Sequence, residues 1–476
     1  MNDVLQREPM AEAPERDDLS KMVELPWDDI FAMDKDELEA FQLKAVRRRF
    51  EELFPQLKSV RAQAQVASIT KINAIEDVVP LLFSDSVYKA YPVSLVEKAQ
   101  FSRLTQWLSG YTTINLSAAD VSRCEGVDSW IDTLDAQTPL RVVHTSGTSG
   151  KLSFFPRSTI EIYSYFLSYV KGHEGFREPG VHLGQPGDVR LPWVAPVPRR
   201  GRQMRNRCFP LVEKYVVPSP DQLYTLDYEV SADLVSLSGR IRIAQAKGEV
   251  SKIVLSDAQR SAMLTYMADL DKRPADATTF YEDVVEKLAG QRIVAGGYAN
   301  LLQDVALSGL SRGLRNIFGE GSLGQTGGGN KEGALRPDWM DLVKEFTGIQ
   351  SWARNYGMSE MVSIMPMGDQ GWYHIPPYLI PFLLDPATGA LLPRQGVVTG
   401  RLAFFDLLAQ TNWGGVVSGD KVTIDWDTPS PSGRKGPRVR ADITRYGAEV
   451  TGEDKITCAA TIDQTDEALK ALLSAG

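Results

Sequence analysis

A loop rich in hydroxyl groups and glycine, residues 145–151, constrains this chain more than any other feature. It has the order Thr-Ser-Gly-Thr-Ser-Gly-Lys and follows an apolar strand signal at 142–144. Backbone N–H groups, hydroxyls and one ammonium in so short a loop form a small concavity that suits a polyphosphate. The stretch 151–156 predicts a second strand, and the capping box of Ser158 and Glu161 predicts a helix directly after it.

This loop differs from the usual nucleotide P-loop. That motif has four residues between its first glycine and Gly-Lys, and then a serine or threonine. Here two residues separate Gly147 from Gly150, and Leu152 follows the lysine. A kinase-type P-loop would also begin its helix at once, whereas a strand is predicted here. An ordinary hairpin turn is the alternative that the loop alone leaves open.

A second stretch, residues 355–361, has the order Asn-Tyr-Gly-Met-Ser-Glu-Met. A hard divalent cation that bridges phosphates prefers carboxylate oxygens, which Glu360 could supply. Gly357 would let the backbone approach a ligand closely. The alternative is a turn between a helix and a strand with a solvated glutamate.

Two further stretches combine glycine with polar residues. Residues 324–331 contain three consecutive glycines, which mark a tight turn or a close approach to a ligand, with a flexible surface loop as the alternative. Residues 416–422 place Asp420 after a glycine between strand signals, a pattern that a plain β-turn also explains. Upstream, residues 396–407 predict paired strands.

In this order, the four stretches resemble motifs of the adenylate-forming superfamily of acyl-CoA synthetases, luciferases and peptide-synthetase adenylation domains. The Gly-Gly-Gly-x-Lys form looks most like the branch of the phenylacetate–CoA ligases and acyl-protein synthetases. The resemblance implies an α/β fold, with a large N-terminal domain of mixed sheets covered by helices. The sequence departs from the superfamily at its end, where we expect the usual C-terminal lid to be reduced or absent. The resemblance covers most of the chain.

The resemblance also implies a role for each motif. Glu360 binds Mg²⁺, Asp420 accepts from the ribose hydroxyls, Tyr356 stacks on adenine, and the hinge-like stretch 438–450 supplies an arginine near the ribose. The implied catalytic residues are Lys151, Glu360 and Thr148. The implied nucleotide-binding residues are Thr145, Ser146, Gly147, Thr148, Ser149, Gly150, Lys151, Gly327, Gly328, Gly329, Asn355, Tyr356, Gly357, Met358, Ser359, Asp420 and Arg440.

The implied reaction is the ATP-dependent activation of a carboxylic acid to an acyl-adenylate, with release of pyrophosphate. The acyl group then passes to a thiol of coenzyme A, a carrier or a protein, so ATP, Mg²⁺ and coenzyme A are the expected ligands. One alternative is an amide-forming ligase that uses an amine. Another is a catalytically silent subunit that binds a nucleotide or an acyl ligand. Candidate walls of an acid pocket are Tyr298, Met358 and residues 372–374, although residues of these types more often pack in a core.

Composition limits the partners and the setting. The net charge of −9 argues against a nucleic-acid partner, which requires a basic face. Cys124, Cys208 and Cys458 have no paired spacing, so a zinc site and a disulfide framework are unsupported and the cytoplasm is the expected location. No apolar run approaches the length of a membrane span.

We predict three segments: a mobile acidic leader at 1–25, an adenylation core at 26–430, and a hinge with a truncated lid at 431–476. Helices are expected at 36–53, 280–288 and 299–310, with a short strand at 293–297. Residues 178–202 are rich in turn formers. The basic run 199–207 is either a docking patch for a phosphorylated acceptor or a solvated loop, and its setting in an acidic protein favours the loop.

Overall fold

The computed structural model describes residues 17–145, 151–173, 182–253, 255–270, 277–327, 335–368 and 371–446. The helices within them are α1 Asp18–Met22, α2 Trp27–Ile30, α3 Lys35–Leu53, α4 Lys58–Ala67, α5 Ser94–Glu97, α6 Phe101–Leu108, α7 Val127–Gln137, α8 Thr159–Val170, α9 Met204–Tyr215, α10 Ala232–Ala246, α11 Asp257–Leu270, α12 Ala277–Leu288, α13 Ala299–Ser311 and α14 Trp339–Thr347. The strands are β1 Phe83–Ser84, β2 Leu140–His144, β3 Phe154–Ser158, β4 Trp193–Gly201, β5 Leu223–Val230, β6 Val294–Tyr298, β7 Leu323–Gly327, β8 Ser351–Tyr356, β9 Met365–Pro366, β10 Trp372–His374, β11 Leu379–Leu384, β12 Val397–Asp406, β13 Gly415–Asp425, β14 Arg438–Arg440 and β15 Thr444–Arg445.

One sheet is largely parallel and has the strand order β5-β4-β6-β7-β8-β9. Its first five strands run in the same direction, so their carboxyl ends meet at one edge. One face packs on α12, α13 and α14 through a cluster that includes Phe346 and Trp352. Ligands of parallel α/β sheets bind beyond the carboxyl ends of the strands, so this edge is where a site is expected.

The second sheet is mainly antiparallel and has the order β10-β14-β13-β12-β11, with β1 and β15 both paired to β13. Every residue of β11 is buried, so this strand lies at the centre of the packing. A large apolar cluster joins side chains of both sheets, including Trp193, Phe382 and Phe404. The two sheets are therefore held by one continuous core.

The hairpin of β2 and β3 carries the predicted phosphate loop. The two strands are antiparallel, and Thr145 and Ser153 exchange hydrogen bonds at its base, with N···O distances of 3.2 and 3.1 Å. At the start of α8, Ser158 accepts from the Glu161 N–H at 3.1 Å while Glu161 accepts from the Ser158 N–H at 2.6 Å. The predicted order of two strands and a capped helix is confirmed, whereas residues 146–150 between the strands lie outside the described residues.

The prediction of an α/β fold with mixed sheets covered by helices is also confirmed. The predicted helix, strand and helix between 280 and 310 correspond to α12, β6 and α13, and the predicted helix at 36–53 corresponds to α3. Its N-terminus is fixed by a capping box of Asp34 and Glu37. None of the helices in the described ranges is long and apolar enough to cross a membrane.

Two predicted boundaries are wrong. Residues 17–25 were assigned to a mobile leader, but Leu19 and Val23 are buried in the main core and Asp17 pairs with the buried Arg49 at 2.6 Å. The core was predicted to end at 430, but β14 lies between β10 and β13 in the antiparallel sheet. The core therefore includes residues on both sides of the predicted limits.

Two local predictions are wrong as well. Residues 396–407 were predicted to be paired strands, but they form the single strand β12, whose partners are β11 and β13. The turn-rich stretch 178–202 contains the nine-residue strand β4, in which the pairing shifts register around Pro198. Proline is tolerated in a strand where the pairing is irregular, so the high proline and glycine content of this stretch did not exclude a strand.

Candidate active site

Three side chains meet at one end of the candidate site, which we call the nucleotide end: Tyr356, Asp420 and Arg445. The Tyr356 hydroxyl donates to Asp420 Oδ2 at 2.6 Å, and Arg445 Nε lies 3.3 Å from Asp420 Oδ1. Tyr356 ends β8 of one sheet, whereas Asp420 and Arg445 lie on the paired strands β13 and β15 of the other. Two motifs 64 residues apart in sequence are thus joined by a hydrogen bond.

Glu360 lies beside the nucleotide end and is half-buried. Burial raises the pKa of its carboxyl group, and the negative charges of Asp420 and Asp85 add to this effect while Arg445 opposes it. A carboxylate held in such surroundings gains from a cation placed next to it. The chemistry of Glu360 therefore fits a metal ligand.

The backbone around Glu360 is fixed from two sides. The fully buried Arg157 of β3 donates to the carbonyl oxygens of Ser359 and Glu360 at 2.9 and 2.8 Å. The buried Asp406 accepts from the backbone N–H groups of Val362 and Ser363 at 2.8 and 2.7 Å. These contacts hold the loop after β8 at the hairpin and at the antiparallel sheet.

Thr145 and Lys151, the first and last residues of the predicted loop, are described, and we call this part of the candidate site the phosphate end. The Lys151 ammonium donates to the Tyr91 carbonyl and lies 4.4 Å from the centre of the Tyr91 ring. Burial lowers the pKa of Lys151, and the nearby charge of Lys89 lowers it further. The predicted residues Ser146, Gly147, Thr148, Ser149 and Gly150 lie outside the described residues.

At the carboxyl edge of the parallel sheet, Tyr298 at the end of β6 lies opposite Gly327 at the end of β7, and Asn355 is in β8, the next strand. A Cβ built on Gly327 would have the Asn355 carbonyl oxygen as its nearest described neighbour, at 3.9 Å. The Asn355 carboxamide donates to the Tyr169 carbonyl at 3.3 Å and so faces α8. Gly328 and Gly329 lie outside the described residues.

The other predicted residues of the 355–361 motif differ from one another in exposure and packing. Gly357 is exposed, and a Cβ there would lie 2.5 Å from Ile364 Cδ1, so the end of the Ile364 side chain would have to move to accept it. Met358 is half-buried and packs on the main core, and Ser359 is half-buried. Next to Tyr356, the ring of Tyr373 lies 5.7 Å away, so this candidate wall does contact the site.

The predicted nucleotide-binding residue Arg440 has partners away from Asp420. It is exposed and pairs with Asp442 at 2.8 Å. The pairing of β14 with β10 sets Arg440 opposite Trp372, whereas the pairing of β15 with β13 sets Arg445 opposite Asp420. Arg445 is the arginine that contacts Asp420, and the role of Arg440 stays a prediction.

The histidines His144 and His374 are core residues. His144 ends β2 with 1% exposure, and its Nδ1 lies 2.8 Å from the Thr145 carbonyl oxygen. Burial lowers its pKa to about 4, so the ring is neutral at physiological pH. His374 is equally buried and packs against Phe31.

Sequence reasoning missed several residues that build this site. Arg445 has a weak signal, because it belongs to the hinge-like stretch. Arg157 and Asp406 have none, because they act through contacts with distant backbone groups. Glu161 was predicted as a helix cap, but its carboxylate also accepts from the backbone N–H groups of Gln410 and Thr411 at 2.7 and 2.9 Å.

A comparison with solved structures finds similar chains at low sequence identity. A 2-hydroxyisobutyryl-CoA ligase in complex with 2-HIB-AMP and CoA matches over 94% of this chain and 78% of its own, at 12% identity and a TM-score of 0.48. The amide bond synthetase McbA from Marinactinospora thermotolerans matches over 63% and 48%, at 14% identity and a TM-score of 0.32. ATP-bound MatB from Rhodopseudomonas palustris matches over 67% and 52%, at 14% identity and a TM-score of 0.33.

No protein-family model matches the sequence, and a search of curated proteins finds no match either. Because the identities and TM-scores of the solved structures are low, we base the proposed function on the chain's own residues.

Proposed function

We propose that this chain is an ATP-dependent acid–thiol ligase, which forms an acyl-adenylate and passes the acyl group to a thiol. The observation that carries the proposal is the contact of Tyr356, Asp420 and Arg445 beside Glu360. In a nucleotide complex, the aromatic ring suits the base and the carboxylate suits the ribose. The cation suits a phosphate, and the candidate metal ligand suits the bound metal ion. These four groups gather between the carboxyl edge of the parallel sheet and β13.

In the first step, a carboxylate oxygen of the acid attacks the α-phosphorus of ATP. A carboxylate–phosphorus bond forms, the bond from the α-phosphorus to the bridging oxygen breaks, and pyrophosphate leaves. The nucleophile is already a carboxylate, so no general base is needed and the protein contributes position and charge. Residues 145–151, with Thr148 and Lys151, would bind the departing phosphates.

Glu360 is the proposed ligand of Mg²⁺, whose charge would offset the negative charge of the phosphates. Among the described residues, no group of three or more His, Cys, Asp or Glu side chains could hold a metal ion. Mg²⁺ is commonly held by one or two carboxylates together with substrate phosphates, so a single glutamate fits this ion.

At the nucleotide end, we propose that Tyr356 and the turn at Gly327 flank the adenine and that Asp420 accepts from the ribose hydroxyls. Arg445 replaces Arg440 in the role expected for an arginine near the ribose. Its ion pair with Asp420 and the Tyr356 hydroxyl hold the carboxylate in one orientation before a ligand arrives. We further propose a cytoplasmic setting, in keeping with the unpaired cysteines.

The proposal is tested by exchange of labelled pyrophosphate into ATP, with Mg²⁺ and a panel of aryl, fatty, dicarboxylic and amino acids. At least one acid is expected to stimulate exchange. Absence of exchange with folded protein across the panel would overturn the enzyme assignment. Calorimetric titration with ATP–Mg²⁺ would then identify a silent binder, which gives heat but no pyrophosphate.

The acceptor is tested separately, with the activated acid present and coenzyme A, a carrier thiol or an amine added in turn. We expect a thiol to raise the rate of AMP release and to yield a thioester that hydroxylamine cleaves. If only the amine yields product, the chain is an amide-forming ligase. That result would leave the adenylation step of the proposal intact.

A further inference from the structure

Arg157 joins two parts of the candidate site that are distant in sequence. It lies in β3, the second strand of the hairpin, and the residue is 1% exposed. Its Nη2 donates to the carbonyl oxygens of Ser359 and Glu360 at 2.9 and 2.8 Å. One nitrogen atom therefore holds two successive peptide groups of the loop that follows β8.

The guanidinium extends from a backbone that is itself fixed. Every residue of β3 is buried, and the carbonyl oxygen of Pro156 accepts from Asn412 Nδ2 at 3.1 Å. Ser158, the next residue of the strand, belongs to the capping box of α8. Residues 357–360 belong to no helix or strand, so contacts with other elements decide where they lie.

The second anchor of this loop acts further along the chain. Asp406 accepts from the N–H groups of Val362 and Ser363, whereas Arg157 binds the peptide group of Glu360 itself. Loss of Arg157 would therefore release the backbone nearest to the Glu360 carboxylate, while the contact of Asp406 with the loop would remain.

Within the described part of the chain, the charge of Arg157 has no carboxylate partner. Its hydrogen bonds there go to the two carbonyl oxygens, and its Nε has none. The guanidinium carbon lies 5.7 Å from the centre of the Phe155 ring. A buried charge is costly unless hydrogen bonds compensate it. A methionine would fill a similar space without this cost, so what arginine adds at this position is its donor groups.

The side chain of Glu360 is in the opposite situation. Its carbonyl oxygen is held by Arg157, but no side chain of the described residues donates to its carboxylate or forms an ion pair with it. The carboxylate is half-buried beside the nucleotide end. A metal ligand with a fixed backbone and no side-chain partner has nothing to exchange when the metal ion binds.

We propose that Arg157 is a positioning residue for the metal site and that it acts through Glu360. By fixing the two peptide groups, it keeps the carboxylate in the place from which it binds Mg²⁺ together with ATP. The inference rests on the proposed function, in which Glu360 is the ligand of Mg²⁺. It adds that the contribution of the metal to ATP binding depends on a residue whose own contacts are with the backbone.

The test compares the Kd of the full chain for ATP in the presence of Mg²⁺ and in EDTA, measured by calorimetry. We expect the wild type to bind ATP more tightly with Mg²⁺. In Arg157→Met, the Kd with Mg²⁺ should rise about tenfold, as is usual when a contact that orients a metal ligand is lost. The Kd in EDTA should change by less than about twofold, because the contacts of Tyr356, Asp420 and Arg445 remain. Arg157→Lys should retain part of the metal effect, since an ammonium can donate to the same carbonyl oxygens.

A double variant separates a positioning role from a merely structural one. Glu360→Gln should also weaken the effect of Mg²⁺. If Arg157 acts through the Glu360 carboxylate, adding Arg157→Met to Glu360→Gln should weaken ATP–Mg²⁺ binding by less than about twofold more, because effects exerted through one group are not additive. Two independent effects would instead multiply.

Arg141→Met is the matched control. Arg141 is opposite Arg157 in the pairing of β2 with β3, and it also donates to carbonyl oxygens, those of Asp135, Thr138 and Leu140. Its substitution should leave both Kd values unchanged, and thermal melts should show all variants folded. If Arg157→Met does not fold, Arg157→Gln takes its place with the same expectation, because its amide is neutral and its side chain is shorter.

Three results would overturn the inference. The wild type binds ATP equally well with Mg²⁺ and in EDTA, Arg157→Met raises both Kd values by the same factor, or the losses of the two single variants multiply in the double variant. The proposed function is judged by pyrophosphate exchange instead. No exchange with any acid would overturn that function, while a metal effect that depends on Arg157 would still support its positioning role.

Discussion

The two ends of the candidate site differ in how far they are assembled. At the nucleotide end, Asp420 already accepts from Tyr356 and pairs with Arg445. At the phosphate end, the charge of Lys151 is directed at the carbonyl and the ring of Tyr91. The nucleotide end is therefore preorganised, whereas Lys151 must exchange a contact within the protein for a phosphate oxygen.

This difference has energetic consequences. Groups that are fixed before binding lose little entropy when the ligand arrives, so their contacts appear almost fully in the affinity. A lysine that gives up a partner gains only the difference between the two contacts. We therefore expect the larger loss from substitutions at the nucleotide end, seen as weaker ATP binding. Substitution of Lys151 should cause a smaller loss, seen as slower turnover.

Glu360→Gln should have the largest effect. The substitution keeps the shape of the side chain but removes the charge that would face Mg²⁺, so pyrophosphate exchange should fall about 100-fold. Glu51→Gln, on the exposed face of α3, is the control and should retain full activity. Activity near that of wild type in Glu360→Gln would show that another group holds the metal.

Asp420→Asn should raise KM for ATP about tenfold, with a smaller change in kcat. Asparagine cannot form the ion pair with Arg445, and it lacks the charge that strengthens the hydrogen bond from the Tyr356 hydroxyl. A tenfold rise in KM corresponds to about 1.4 kcal/mol. The measurement is the dependence of exchange on ATP concentration. Asp227→Asn is a surface control, and an unchanged KM in Asp420→Asn would contradict a preorganised nucleotide end.

Lys151→Met should slow exchange about fivefold, which is about 1 kcal/mol of barrier. The effect is smaller because the N–H groups of the loop remain and because the lysine leaves Tyr91 to act. Lys98→Met, an exposed lysine, serves as the control. A loss as large as that of Glu360→Gln would contradict the expected difference between the two ends, since both would then contribute equally to exchange activity.

The smallest effect concerns the scaffold, and it is needed to interpret pH profiles of either end. Asp233 caps α7 by accepting from the N–H groups of Val127 and Asp128, and burial raises its pKa to about 6, with the charge of Asp128 adding to the rise. A raised carboxyl pKa means that the folded state binds the proton more tightly. The group therefore favours folding at low pH, and this contribution is lost as the pH rises through about 6.

Asp233→Asn should remove this dependence. Between pH 8 and pH 5, the free energy of unfolding of wild type should rise relative to that of Asp233→Asn by about 1–3 kcal/mol. Urea unfolding at both pH values measures the difference, with Asp227→Asn as a reference. A constant difference across this range would show that Asp233 does not take up a proton there.

The sequence predicted elements that depend on local signals. The capping box at Ser158 and the helical patterns of α3, α12 and α13 each lie within a short stretch of sequence, so the local pattern determines the element. Tyr356 and Asp420, from two of the predicted motifs, do contact each other, whereas the roles assigned to these motifs stay predictions.

Predictions failed or stayed open where long-range pairing decides. Whether Arg440 or Arg445 reaches Asp420 depends on the register of two short strands against β13 and β10, which no local pattern encodes. The burial of Leu19 and Val23 depends on a core assembled from distant elements. The direction of Lys151 depends on Tyr91, sixty residues away.

Arg157 and Glu161 have a practical consequence for protein engineering. Arg157 joins β3 to the carbonyls of Ser359 and Glu360, and Glu161 joins the start of α8 to residues 410–412. A graft of residues 145–151 into another scaffold would lack both attachments. The transplanted loop would have to bring these two side chains and their distant partners with it, so the smallest portable unit is the whole hairpin with its two docking sites.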